Sequence, residues 1–195
     1  MKKLVCVTLL IFLTFLSSVA FAQEDAYDFK QATWGMSRDE IVAFEGEPDS
    51  ESVLSSDGSE ITLIYNRTLC NHEATLIYYF CKNGLSMAVY VLDNNHSNGS
   101  LYIDDYHDVC DALEEKYGRP YYDDVGWYNS TKKRLYSDDM GSALLFGYLS
   151  YLTKYSTDRS DIVASMSADN YEVATMVAFI SKTIRLEEIY NTNDF

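Results

Sequence analysis

The fold is decided by residues 74–92, ATLIYYFCKNGLSMAVYVL. Two apolar runs of strand length, 74–81 and 85–92, are rich in β-branched and aromatic residues, which favour strands. Asn83-Gly84 lies between them and is typical of a type I′ turn, because both central residues of that turn need a positive φ. The stretch therefore predicts an antiparallel hairpin.

Working outward from this hairpin, two matching signals indicate where helices end. Gly46 followed by Pro48 forms the first signal, and Gly118 followed by Pro120 forms the second. Glycine adopts the left-handed backbone at low cost just after a helix, and proline cannot continue a helix. Each pair therefore predicts a helix immediately upstream.

Both helices also have recognisable beginnings. Ser37 and Glu40 form a capping box, in which each side chain satisfies a backbone N–H at the start of the first helix. The second helix is predicted to open near Asp104 or Asp105, whose charge suits the positive end of the helix dipole. Its apolar face is spaced at helical intervals and consists of Tyr106, Val109, Cys110, Leu113 and Tyr117.

Strand-like segments follow each predicted helix. In the first half, Ile61–Leu69 precedes the hairpin described above. In the second half the predicted strands are Gly126–Tyr128, Lys133–Tyr136, Ala143–Ser156, Asp161–Ser167 and Tyr171–Ser181. Asp169-Asn170 is the predicted final turn, and a short helix is expected in the tail from Thr183 to Phe195.

The sequence thus predicts an α+β fold built as a tandem repeat, in which a short helix is followed by a three- or four-stranded antiparallel meander. Residues 23–100 would form the first helix-plus-sheet module and residues 101–195 the second. The polar segment Asn94–Ser100 would link the two modules.

The first 22 residues have the pattern of a secretory signal peptide. Lys2 and Lys3 precede the apolar run Leu4–Leu16, and Ala20-Phe21-Ala22 fits a cleavage site after Ala22. The run is shorter than the roughly 18 residues of a membrane-spanning helix. We therefore expect an exported protein, in the periplasm or outside the cell, with no membrane insertion after processing.

The charge narrows the classes of partner. The chain has 15 Lys and Arg against 30 Asp and Glu, a net charge of −15. Cleavage after Ala22 would remove two of these lysines and no acid. Nucleic acids bind proteins through Lys and Arg contacts to phosphates, so nucleic acid is excluded as a partner. Lys132-Lys133-Arg134 is the one basic cluster, predicted as a solubilising edge-strand run, with an anion or partner contact as the alternative.

Residues 29–48, FKQATWGMSRDEIVAFEGEP, resemble the opening of many small exported bacterial proteins. The layout resembles that of the β-lactamase-inhibitor-like proteins and of a small outer-membrane-assembly lipoprotein with the same helix-plus-sheet layout. The matching residues are Trp34, Gly35, Met36, Ser37, Glu40, Gly46 and Pro48. The resemblance implies a tandem module that binds other proteins and does not catalyse a reaction. This chain departs from the lipoprotein by having Gln23, not cysteine, after the predicted cleavage site.

Chemistry-bearing residues are concentrated in the middle of the chain. The candidate metal ligands are Cys70, His72, Cys81, His107 and Cys110, with His96 in the same region. Cys and His are the usual zinc ligands, but their spacing here matches no C-x-x-C or H-x-x-x-H pattern. We expect no metal, no cofactor and no catalytic residue, and leave open whether the cysteines are free thiols or include one disulfide.

The predicted function is therefore an exported protein-binding module, whose partner is another exported or envelope protein. Tyrosine is abundant, with 17 in the chain, and is enriched at protein interfaces. Aromatic residues on an open sheet face or on loops would make the contact. The alternatives are an envelope metal-binding protein or enzyme that uses the Cys/His set, and a carrier with an apolar pocket for a small ligand.

Overall fold

The computed structural model describes residues 27–184, so the predicted signal peptide and the tail beyond residue 184 lie outside the described residues. Contacts divide the chain into two units, Met1–Thr33 and Trp34–Phe195. In the first unit, Phe29 and Ala32 pair as an isolated β-bridge around a turn. All the helices and strands named below belong to the second unit.

The second unit alternates helices with runs of strands. In chain order its elements are α1 (Arg38–Glu45), β1 (Ser50–Val53), β2 (Ile61–Leu69), β3 (His72–Cys81), β4 (Gly84–Leu92), α2 (Gly99–Tyr117), β5 (Tyr122–Trp127), α3 (Ser130–Tyr136), α4 (Met140–Leu145), β6 (Leu149–Ser156), β7 (Ser160–Asp169) and β8 (Glu172–Ser181). None of the helices within residues 27–184 combines the length and the apolar character needed to cross a membrane.

The strands form one eight-stranded antiparallel sheet in the order β1-β2-β3-β4-β8-β7-β6-β5. The last strands of the two halves pair at the centre, with Val89 of β4 opposite Ala178 of β8. This confirms the predicted α+β class. One sheet contains the strands of both predicted modules, residues 23–100 and 101–195. The internal repeat stays a prediction.

The capping box has the expected geometry, whereas the hairpin turn differs from the prediction. Ser37 and Glu40 form the capping box, with the Ser37 N–H donating to Glu40 Oε2 at 2.8 Å. These hydrogen bonds lower the pKa of Glu40, because they stabilise its charged form. The antiparallel hairpin is confirmed, but the type I′ turn at Asn83-Gly84 was wrong. Gly84 has φ +97° and pairs with Cys81, so Lys82 and Asn83 are the turn residues, and Asn83 lacks the positive φ that a type I′ turn requires.

Both helix-stop glycines also behave as predicted. Gly46 and Gly118 have φ +88° and +77°, and their N–H groups donate to the carbonyls of Val42 and Glu114, each at 2.9 Å. Pro48 and Pro120 follow outside the helices. A positive φ is favourable for glycine, so the predicted C-terminal ends of α1 and α2 are confirmed.

The predicted start of the second helix was wrong. Helix α2 begins at Gly99, five residues before Asp104, because Asn98 is the N-cap and accepts the Ser100 N–H at 3.0 Å. Asparagine is among the best N-cap residues, and here it was hidden in a segment that looked like a polar linker.

Two predicted strands of the second half were also wrong. Lys133–Tyr136 belongs to α3, whose N-cap Asn129 accepts the Lys132 N–H at 2.9 Å. Ala143–Ser156 is divided between α4 and β6, and the chain turns between them at Gly147, which has φ +67°. Helices α3 and α4 therefore interrupt the meander, which is not continuous as predicted. The short edge strand β1 was not predicted at all.

Buried tyrosines of the sheet form hydrogen bonds with α1 and α2, and both helices lie on the same face of the sheet. Tyr78 donates to Glu45 at the end of α1 at 2.6 Å, and Tyr155 donates to the Cys110 carbonyl of α2 at 3.0 Å. The strand registers carry Tyr78 and Tyr155 in one cross-sheet row, so α1 and α2 lie on one side. Burial raises the pKa of both phenols, because it disfavours their ionised forms.

Candidate functional site

Five aromatic side chains, three of them exposed and two half-buried, gather at one end of the sheet, around the α3–α4 insertion. We call this group the aromatic end. It consists of Tyr128, Tyr136, Phe146, Tyr148 and Tyr171. These residues come from the end of β5, the end of α3, the end of α4, the start of β6 and the β7–β8 turn. They are separated by up to 43 positions in the sequence, so only the fold brings them together.

Rings of the aromatic end contact one another. Tyr136 lies 5.9 Å from Phe146 and 5.4 Å from Tyr148, while Phe146 lies 5.6 Å from both Tyr148 and Tyr171, measured between ring centroids. The exposed fractions are 76% for Tyr128, 63% for Tyr171 and 40% for Phe146. Contiguous apolar surface of this kind, rimmed by polar groups, is typical of protein contact sites.

Lys132 closes one side of the ring cluster. Its ammonium nitrogen lies 3.7 Å from the centroid of the Tyr148 ring and 6.0 Å from that of Tyr136. A hydrogen bond to Tyr148 raises the pKa of Lys132, so this side chain keeps its charge. The cation fixes two rings in place, because the ring face attracts positive charge.

Tyr171 has a positive φ, which is unfavourable for a residue with a bulky side chain. The β7–β8 turn has Asn170 at φ +48° and Tyr171 at φ +69°, as a two-residue hairpin turn requires. Glycine is the usual second residue, and a bulky residue with positive φ is strained. The strained turn holds a largely exposed ring against Phe146.

The sheet face opposite α1 and α2 is mainly aliphatic. One row crosses it by strand register, from β2 to β5: Ile64, Ile77, Val89, Ala178, Val163, Lys154 and Tyr122. Most of these side chains are half-buried, and Tyr122 is exposed. The sequence placed the aromatic contact residues on this face or on loops, and the most exposed rings lie on the loops.

The Cys/His set does not assemble. Cys81 donates its thiol to the Gly84 carbonyl at the hairpin, His107 makes an edge-to-face contact 5.9 Å from the Tyr151 ring, and Cys110 is a half-buried residue of α2. His72 and His96 converge on Asp105 instead. Within residues 27–184, no group of three or more His, Cys, Asp or Glu side chains can hold a metal ion. The metal and Cys–His nucleophile alternatives therefore have no geometric support in this part of the chain.

Asp105 is a buried carboxylate that the sequence analysis misassigned to the helix dipole. Its side chain is 13% exposed and accepts from Asn94 and, at 2.6 Å, from His96. His72 lies with one ring nitrogen 3.6 Å from Asp105 and the other 3.6 Å from Asp108. Asp105 thus ties β3 and the 93–98 connection to α2. Asp105 directly precedes Tyr106, which lies on the apolar face of the helix. This position was the sequence signal that could have indicated its burial.

Cys70 and Cys110 carry free thiols. Burial raises the pKa of both, and for Cys70 the negative charge of Asp108 adds to this effect. Cys110 also interacts with Tyr106 and Thr153, which lower its pKa by less than burial raises it. Both thiols are therefore poor nucleophiles at neutral pH, since the thiolate is the reactive form.

We expect Cys110 to react with iodoacetamide several-fold more slowly in the folded chain than in urea at pH 8, because burial both raises its pKa and limits access. The difference should narrow as the pH rises and thiolate forms in both states. Peptide-level mass spectrometry of alkylation time courses measures both rates. Equal rates in the two states would contradict the structure. If Cys110 of the unfolded protein resists alkylation without reductant but reacts when reductant is present, Cys110 forms a disulfide.

The motif that carries the family resemblance has a structural role in this fold. The Trp34 indole N–H donates to Ser160 Oγ at 2.9 Å, which joins the start of the unit to β7. Gly35 and Met36 pair with Leu85, through hydrogen bonds of 2.9 and 2.8 Å. These contacts attach the segment before α1 to the β3–β4 hairpin.

A groove at this hairpin does not have the properties of an apolar carrier pocket. It has a volume of about 540 Å³, opens to solvent, and is lined by residues that include Ser37, Arg38, Lys82 and Asn83. A carrier for a small apolar ligand needs an enclosed and predominantly apolar cavity. The aromatic end is therefore the better candidate for recognition.

No family model, curated protein or solved structure matches this chain. The resemblance to β-lactamase-inhibitor-like proteins accordingly stays a prediction.

Proposed function

We propose that this chain is an exported protein-binding module and that the aromatic end is its contact surface. The observation that supports this proposal is the cluster of contacting rings around Phe146. Lys132 contacts the Tyr148 ring of this cluster, and the strained β7–β8 turn places Tyr171 against Phe146. Tyrosine is a common binding hot spot, and large aromatic residues anchor interfaces by filling pockets on the partner.

The charge balance and the leader sequence support the same proposal. A net charge of −15 disfavours nucleic acid and anionic lipid surfaces as partners. The secretory pattern of residues 1–22 suits a partner in the periplasm or outside the cell. The partner is then another exported or envelope protein.

Removing two exposed rings tests the proposal. In a crosslinking pulldown from the native cell envelope, the Phe146→Ala/Tyr171→Ala variant should capture the wild-type partner at least about tenfold less well, since hot-spot truncations cost 2 kcal/mol or more. Quantitative mass spectrometry of the captured proteins is the readout.

Tyr121→Ala is the matched control, because Tyr121 is 64% exposed but lies at the opposite end of β5 from Tyr128. Its capture should equal that of the wild type. The proposal fails if the double variant retains the partner, or if Tyr121→Ala loses it equally. Circular dichroism verifies that both variants keep the wild-type fold.

A further inference from the structure

Helix α3 is a short helix with no buried residue, and it stands beside the aromatic end. Its side chains divide between two tasks. Lys132 and Tyr136 join the ring cluster through Tyr148, whereas Lys133, Arg134 and the 66%-exposed Leu135 face solvent. The exposed side chains of α3 therefore contribute little to the packing of this fold.

Lys133 and Arg134 belong to the only run of three consecutive cations, Lys132-Lys133-Arg134, in a chain with twice as many acids as bases. Some described cations have carboxylate partners, as Arg38 has Glu51 at 2.7 Å and Arg67 has Glu45 at 3.1 Å. Neither Lys133 nor Arg134 forms an ion pair with any residue of the described part of the chain.

The nearest acids in sequence, Asp138 and Asp139, form no ion pair with these cations in the described part of the chain. Asp139 is the N-cap of α4, where its carboxylate accepts the Ser142 N–H at 3.1 Å. Among the described residues, Lys133 and Arg134 therefore lie unpaired beside the aromatic end.

We propose that Lys133 and Arg134 bind the carboxylates of an acidic protein segment whose apolar side chains contact the aromatic end. The guanidinium of arginine matches a carboxylate in a two-point geometry, and the lysine ammonium adds a second positive charge. An aromatic centre with a charged rim is the usual anatomy of a protein interface. This inference rests on the proposed function and specifies the chemistry of the partner.

The repulsion between two acidic proteins favours such a local contact. With a net charge of −15, the chain as a whole repels an acidic partner, so binding is favoured where cations are consecutive, as in Lys132-Lys133-Arg134. Charge juxtaposition of this kind contributes more to specificity than to affinity, because wrong orientations bring like charges together.

Carbodiimide crosslinking tests the inference, because this reagent joins a lysine amine to a carboxylate with loss of water and adds no spacer. The full chain is mixed with envelope extract of the native cells, and crosslinked peptides are mapped by mass spectrometry. We expect Lys133 to be joined to an Asp or Glu of one dominant protein. The Lys133→Glu/Arg134→Glu variant should capture at least about tenfold less of that protein.

Lys116→Glu/Arg119→Glu is the matched control. It makes the same change in net charge at exposed positions at the far end of α2, and it should capture as much as the wild type. An equal loss in both variants would indicate a general charge effect and overturn the inference. Capture of a phosphate-bearing polymer, in place of a protein, would overturn it as well.

The ring variant separates this inference from the proposed function. If Phe146→Ala/Tyr171→Ala loses the partner while the α3 charge reversal retains it, the protein-binding function stands and the acidic segment is wrong. If neither variant changes capture, both proposals are wrong.

Discussion

Replacing Asp105 with alanine should lower the free energy of unfolding by about 3 kcal/mol, because truncating one member of a buried polar network leaves its partners unsatisfied. Asn94 and His96 would each lose their acceptor, and His72 would lose one of its two carboxylate neighbours. The effect should be large because these groups lie in two separate segments, β3 and the 93–98 connection, and Asp105 joins both to α2.

Equilibrium urea unfolding followed by circular dichroism measures this loss. Asp104→Ala is the matched control, since Asp104 is the exposed neighbour on the same helix, and it should change stability by less than about 0.5 kcal/mol. Asp105→Asn keeps the shape and removes the charge, so its loss should fall between the two. An Asp105→Ala variant as stable as Asp104→Ala would show that the network carries no stability.

Features that depend on neighbouring residues could be predicted from the sequence. The helix stop at Gly46, the capping box at Ser37 and the helix stop at Gly118 each follow from the conformational preferences of a few nearby residues. Because no distant contact is needed to choose these conformations, tertiary structure had little opportunity to override them.

The α3–α4 insertion could not be predicted in the same way. Lys133–Tyr136 is too short to distinguish a strand from a helix by periodicity, and its helical state depends on the cap at Asn129. The apolar run after Ala143 looked like one strand because α4 is buried and apolar around most of its surface. Burial against other elements therefore favours the conformation of α4, whereas α3 has no buried residue and depends on its N-cap.

The candidate site had the same limitation. Exposed rings at Tyr128, Phe146 and Tyr171 have no common spacing, and they meet only because the β7–β8 turn lies beside the α3–α4 insertion. The tyrosine content and the basic run of α3 were visible in the sequence, but their juxtaposition required the strand order. Conversely, the Cys and His residues are close in sequence, yet in the described part of the chain they form no metal-binding group, and only His72 and His96 converge, on Asp105.

Gly99→Ala should be among the most damaging substitutions in this chain. A Cβ at Gly99 would lie 2.1 Å from the Gly141 carbonyl oxygen and 2.6 Å from its carbon. Both atoms belong to the backbone of α4, so a side-chain rotation cannot relieve the clash, and α2 and α4 must separate. We expect a loss of at least about 4 kcal/mol or failure to fold, well beyond the usual effect of a single substitution.

Gly118→Ala at the other end of α2 is the matched control. Its Cβ would meet no atom within 4 Å, so only the positive φ of +77° opposes alanine, and the loss should be about 1 kcal/mol. Urea unfolding compares the two, and soluble yield serves where Gly99→Ala does not fold. Similar losses would contradict the close approach of α2 and α4. Because that contact positions α4, and Phe146 directly follows α4, a folded but weakened Gly99→Ala variant should also lose partner capture.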